Sequence, residues 1–138
     1  MNIREYEDAD RDAVIKLWEA CELTRPWNDP GQDIARCMAG KSSTIFVGLD
    51  DCDVVASVMV GDDGHRGWVY YVAVAPHLRC GGAGRVMMDH AERWLADNGA
   101  VKVILMIREG NDAVRSFYEQ LGYQAEPRTV MSRWLTPS

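Results

Sequence analysis

The chain has 138 residues, 47% hydrophobic and 26% charged, with a formal net charge of −6. That composition predicts one globular domain, 1–138, whose core buries roughly two thirds of the surface the unfolded chain exposes. The acidic balance excludes a nucleic-acid backbone as the expected partner, no apolar run approaches the ~18 residues of a membrane helix, and the opening Met1-Asn2-Ile3-Arg4-Glu5 lacks the apolar stretch of a signal peptide, so the expected location is cytoplasmic, away from membranes.

In chain order, residues 3–6 alternate and predict a first strand. Asp8 is the expected N-cap for a helix reaching about Glu22, with Ala13, Val14, Leu17, Trp18 and Cys21 at helical spacing. A loop with two prolines, 24–30, leads to a short helix over about 31–39 that Gly40 stops. Residues 44–49, 54–60 and 68–75 predict three strands joined by the turns Asp50-Asp51-Cys52-Asp53 and 61–67, hence an antiparallel meander. A Gly-rich loop, 76–84, then opens a helix with Val86, Met87, His90, Ala91, Trp94 and Leu95 on one stripe, ending near Asn98-Gly99. Residues 101–107 predict a buried strand, 111–121 a helix closed by Gly122, and 129–135 a last strand. A meander feeding a strand–loop–helix–strand–helix half predicts an α/β mixed sheet with helices on both faces.

The four cysteines, Cys21, Cys37, Cys52 and Cys80, form no C-x-x-C pair, and the three histidines are scattered, so reduced thiols and no metal are expected.

The most informative segment joins the strand ending Val72-Ala73-Val74-Ala75-Pro76 to a helix through Arg79-Cys80-Gly81-Gly82-Ala83-Gly84-Arg85. A turn of this kind converges main-chain N–H groups at a helix N-terminus, where the helix dipole favours an anion. Glycines at 81, 82 and 84 let a diphosphate approach the main chain, and Arg79 and Arg85 flank it with positive charge. A plain strand-to-helix turn shares these features, because a Gly-rich loop carries little specificity alone. The dinucleotide G-x-G-x-x-G is absent, since Met87 stands where its last glycine belongs. Gly40-Lys41-Ser42 lacks the earlier glycine of a P-loop, which would fall at Ala35.

With these residues in view, Arg79-x-x-Gly82-x-Gly84 resembles the acetyl-CoA signature [Q/R]-x-x-G-x-[G/A] of the GNAT superfamily of N-acetyltransferases. A second block, Asn111 to Tyr123 with Asn111, Tyr118 and Gly122 at matching positions, is similar to that family's N-x-x-A-x-x-x-Y-x-x-x-G-F helix. Thr24 to Pro30, with Gly64-His65-Arg66-Gly67, also resembles short bacterial members related to ribosomal-protein N-terminal acetyltransferases. The resemblance covers essentially the whole chain and departs at Cys80, where the family often has glycine.

The resemblance implies a GNAT fold in which the parallel strands ending near Val74 and Ile107 splay apart. It implies acetyl-CoA as co-substrate, its pantetheine arm along Val72, Ala73 and Val74 and its diphosphate on residues 79–85. A primary amine then attacks the thioester directly in a ternary complex, without a metal. Tyr118 matches the family's general acid and Asn111 the cofactor-contacting helix cap; packing and plain capping are their alternative readings. The related ribosomal enzymes carry a glutamate at the position of Met106, which accepts no proton, so Glu109 is the nearest carboxylate for that task. Asp62, Asp63 and His65 lie on the turn before the central strand, and Tyr71 is a further candidate through a water. Trp27 and Asn28 occupy the loop where such proteins shape the acceptor site, with His65 and Tyr71 as further substrate-binding candidates; an aromatic there would contribute ~0.5–2 kcal/mol toward a cation. Dimers are common among such proteins, making a homodimer an expected state. The rival readings are an acyl-CoA-binding regulatory module, which Met106 favours, and a nucleotide-dependent phosphotransferase, which lacks a P-loop lysine and a suitably placed carboxylate site.

Overall fold

A computed structural model describes residues 1–136, which fall into two units, Met1–Leu105 and the residues from Met106 onward. In the first, β1 (Asn2–Glu5), α1 (Arg11–Ala20), α2 (Pro30–Ala39), β2 (Ser43–Asp50), β3 (Asp53–Asp62), β4 (Gly67–Val74), α3 (Ala83–Asp97) and β5 (Val103–Ile104) follow in chain order. The sheet order is β1-β2-β3-β4-β5, antiparallel through β4 and parallel between β4 and β5. The mixed α/β fold expected from the sequence is therefore present.

The strands of the meander are buried on both faces, which explains their near-continuous apolar runs. On one face Ile45, Val47 and Val55 join Val14, Leu17 and Trp18 of α1 and Ile34 of α2 in one core. On the other, Phe46 meets His90 of α3 edge-on at 4.4 Å. The buried positions of α3 are Met87, Met88, Ala91 and Leu95, whereas Val86 is exposed, so its inward stripe is rotated by one residue from the expected one.

Two boundaries move for local reasons. Asp8 does not cap α1: residues 8–10 form a 3₁₀ turn, and α1 starts at Arg11. Asp10 takes the Glu7 N–H at 2.9 Å and both terminal nitrogens of Arg4, at 2.7 and 3.0 Å, which tightens the entry. The hydrogen bond from Arg4 holds the Asp10 carboxyl below its ordinary range against the opposing effect of burial. By contrast α2 begins as its sequence signals, with Asp29 accepting from Gly31 and Gln32 and Pro30 in the first turn.

The strand expected over 101–107 contracts to Val103–Ile104. Its pairs with β4 are Gly67↔Val103 and Trp68↔Ile104 only. Beyond them β4 is bulged, with Tyr71 and Val72 together opposite Val58, and a bulge bends a strand away from a straight neighbour.

In the second unit α4 spans Asp112–Gln120, capped by Asn111, whose Oδ1 accepts the Val114 N–H at 3.3 Å. Gly122, at φ 96°, ends the helix as expected. The last strand expected over 129–135 is not formed: these residues make no ladder, and Val130, Met131, Trp134 and Leu135 are exposed. Alternation marks a segment that suits a strand, but only a paired edge makes one.

Candidate functional site

The loop between β4 and α3 is built around two left-handed residues, Cys80 at φ 67° and Gly82 at φ 88°. Gly82 is at home there, and Cys80 is not; a left-handed side-chain-bearing residue costs roughly 1–2 kcal/mol. The departure noted at Cys80 therefore falls at a backbone position that favours the family's glycine. No side chain caps α3. Its first intrahelical bond is Val86 N–H to the Gly82 carbonyl, so the N–H groups of Ala83, Gly84 and Arg85 precede the ladder with the positive end of the helix dipole behind them. Arg79, Cys80, Gly81, Gly82 and Arg85 are exposed, and Ala83 and Gly84 are half-buried. The 15-residue helix behind the loop is anchored by fully buried Met87 and Met88.

Upstream, Val72 and Val74 are half-buried and Ala73 is buried. Ala73 pairs with Ser57 of β3, and no residue of β4 beyond Trp68 pairs with β5. The sheet is thus open on one side of the strand that feeds the loop.

Tyr71, at the bulge, has φ 51°, a conformation worth roughly 1–3 kcal/mol of strain in a non-glycine residue. Its ring stacks on Trp18 at 3.7 Å and 9°. Its carbonyl accepts from Ser57 Oγ at 2.9 Å, while that same Oγ accepts the Trp18 indole N–H at 2.8 Å. Its hydroxyl donates to Asp33 Oδ2 of α2 at 2.6 Å. Burial, and then the Asp33 bond, push the phenol above its ordinary range. Tyr71 was singled out from sequence; Asp33 was not, because a contact across 38 positions leaves no local trace.

The remaining candidates are surface groups. Trp27 is 58% exposed beside exposed Asn28 in the α1–α2 connection. His65 is exposed, with its main-chain N–H on Asp63 Oδ1. Asp63 also takes the Arg66 N–H and, on its other oxygen, the Trp68 indole, and these bonds, the Arg66 one foremost, hold its carboxyl below the ordinary range. Asp63 is thereby committed to its turn. A pocket of about 550 Å³ opens there, lined by Asp63 itself with Lys41, Ser43, Asp62, Trp68 and Tyr70; Asp62 and Asp63 are the sequence-named candidates among them.

In the second unit, Tyr118 is buried between Phe117 and Tyr123, both edge-on, at 4.9 and 5.7 Å. Burial pushes its hydroxyl up to about 12, so it stays protonated at neutral pH. Glu109 is exposed in the turn before α4, and Met106 is 52% exposed.

The model of the acetyltransferase (GNAT) family matches residues 11–123, a stretch that runs through both units. A protein named acetyltransferase from Pectobacterium atrosepticum is 44% identical over 124 residues, 90% of this chain and 88% of that one. Another from Yersinia enterocolitica is 39% identical over 135 residues, covering 98% and 96%. Among solved structures, an aminoglycoside N-acetyltransferase in complex with CoA superposes with a TM-score of 0.84 at 14% identity, covering 98% of this chain and 95% of that one, a likeness of fold. The chain belongs to the GNAT family and is an acetyltransferase.

Proposed function

We propose that this acetyltransferase is one domain that moves an acetyl group from acetyl-CoA to a primary amine by direct attack in a ternary complex. The observation that carries the reading is the run of uncapped amides at Ala83, Gly84 and Arg85 beside a strand whose β5-side edge is open past Trp68. Uncapped first-turn amides suit a diphosphate, and Asn111 is assigned to the coenzyme by the family resemblance alone. Exposed Arg79 and Arg85 add charge, and exposed Cys80 and Gly81 leave room at the mouth of the loop. An open strand edge at Val72 to Val74 suits an amide-bearing arm, whose own N–H and C=O groups replace the missing strand.

Acetyl-CoA supplies the activated acetyl thioester; the chain's own groups bind it, polarise its carbonyl and manage protons. A main-chain N–H on the open edge is a preorganised donor for charge developing on the carbonyl oxygen. Tyr118, protonated at neutral pH, supports the role of acid toward the departing thiolate. Trp27, Asn28, His65 and Tyr71 are assigned to the acceptor's surroundings, and Glu109, exposed, to proton exchange with solvent.

Calorimetry with acetyl-CoA, CoA and ATP tests the donor. Saturable binding of the first two is expected, and binding of ATP without CoA would remove the reading. Thiol release over a panel of amines and N-terminal peptides tests the reaction. Tyr118→Phe should lower kcat by about 100-fold while leaving acetyl-CoA affinity within about twofold.

A further inference from the structure

An alkylamine is cationic at neutral pH and attacks only after losing a proton. This inference rests on the proposed function and asks which group takes that proton. Tyr71 directly precedes the open stretch Val72 to Val74, and among the described residues Asp33 is the one carboxylate hydrogen-bonded to a side chain of residues 70–74. The two come from different elements, β4 and α2, and both are half-buried, so the pair remains within reach of solvent.

The arrangement is over-determined. The bulge, the left-handed backbone, the Trp18 stack and the Ser57 bond together fix where the phenol points. Its hydrogen is spent on Asp33, which leaves the oxygen's lone pairs to act as acceptors. A brace between α2 and the sheet needs no strained aromatic residue at that position, whereas strain held in place by several partners is a mark of functional sites.

We infer that Tyr71 and Asp33 form a proton relay that neutralises the attacking amine. The ammonium donates to the Tyr71 oxygen; its N–H bond breaks and an O–H bond forms there. The original Tyr71 O–H bond breaks as that hydrogen passes to Asp33 Oδ2. The products are a neutral amine, a neutral tyrosine and a protonated Asp33, which returns its proton to solvent after transfer. Charge and atoms balance, and no tyrosinate is formed.

The test uses acetyl-CoA with two acceptors, n-butylamine, cationic at neutral pH, and methoxyamine, neutral there. Asp33→Asn should lower kcat/KM for n-butylamine about 100-fold and for methoxyamine less than about threefold. Tyr71→Phe should give the same pattern, with acetyl-CoA binding by calorimetry unchanged in both variants. Equal losses on the two amines would reduce the pair to a structural brace and overturn the inference. So would an unchanged n-butylamine rate, or transfer to neither amine by unaltered protein that binds acetyl-CoA. Failure of the unaltered protein to bind acetyl-CoA would instead overturn the proposed function, and this step with it, before any variant is assayed.

Discussion

The two sides of β4 are built differently. Toward β3 it is paired from Asp62↔Gly67 to Ala56↔Val74, with one bulge. Toward β5 its pairing ends at Trp68↔Ile104. The first side closes through a short turn, so neighbours in sequence become neighbours in space at little entropic cost. The second must return through α3, and the proposed coenzyme arm would lie along the part of the join that is left open. One strand thus serves as a fixed wall on one edge and an available main chain on the other.

That contrast breaks most severely at the wall. Trp18 is fully buried, stacks on Tyr71 and bonds Ser57, so Trp18→Ala should cost about 3–5 kcal/mol in a urea melt. A loss below about 1 kcal/mol would mean that the packing of α1 against β3 and β4 is not what holds the bulge.

Gly67 sits where the join is still closed. A Cβ there would lie 2.7 Å from one methyl of Leu95 and 2.8 Å from the other, and Leu95 is itself buried. Gly67→Ala should cost about 1–3 kcal/mol and weaken acetyl-CoA binding with it, because the proposed diphosphate loop leads into α3. Lost stability with intact affinity would separate the closed end of the join from the loop.

A smaller effect is expected at the far edge of the wall, where Asp10 ties Arg4 to the entry of α1. Its folded-state carboxyl titrates lower than in the unfolded chain, so its contribution is present above the unfolded value, about 3.9, and is lost as pH falls through the lower folded one. Asp10→Asn should therefore lower Tm at pH 7, and the gap from the unaltered protein should narrow on acidification below about pH 4. A gap that widened in acid would reverse the sign of the argument.

The smallest change sharpens the open side. Cys80→Gly relieves a left-handed side chain but frees the unfolded chain, for a net gain of about 0.5–1 kcal/mol. A loss of stability would show that the Cys80 side chain has packing worth more than its strain.

What the sequence made legible divides along the same line. The hairpin strands were readable because their turns, 50–53 and 61–67, are local and rich in turn formers, and α2 and α4 because Gly40, Asn111 and Gly122 mark their ends, whereas the cap Asp29 and first-turn Pro30 of α2 were read as loop. The loop between β4 and α3 was readable from its glycine spacing, though the left-handed backbone at Cys80 was not. The start of α1 was misread because the Arg4–Asp10 bond competes with Asp8 as a cap. The full length of β5 and a strand at 129–135 were expected from apolar pattern alone, which does not report whether an edge is present to pair with. The Tyr71–Asp33 bond lay outside sequence reasoning, since the bulge that orients Tyr71 depends on register with β3.

Hydrogen exchange of individual main-chain amides, with and without CoA, bears most directly on the idea that backbone groups hold the coenzyme. Slowed exchange at Ala83, Gly84 and Arg85 and along Val72 to Val74, with the β2–β3 hairpin unaffected, is the predicted result. Saturated CoA binding with exchange at those amides unchanged would contradict it.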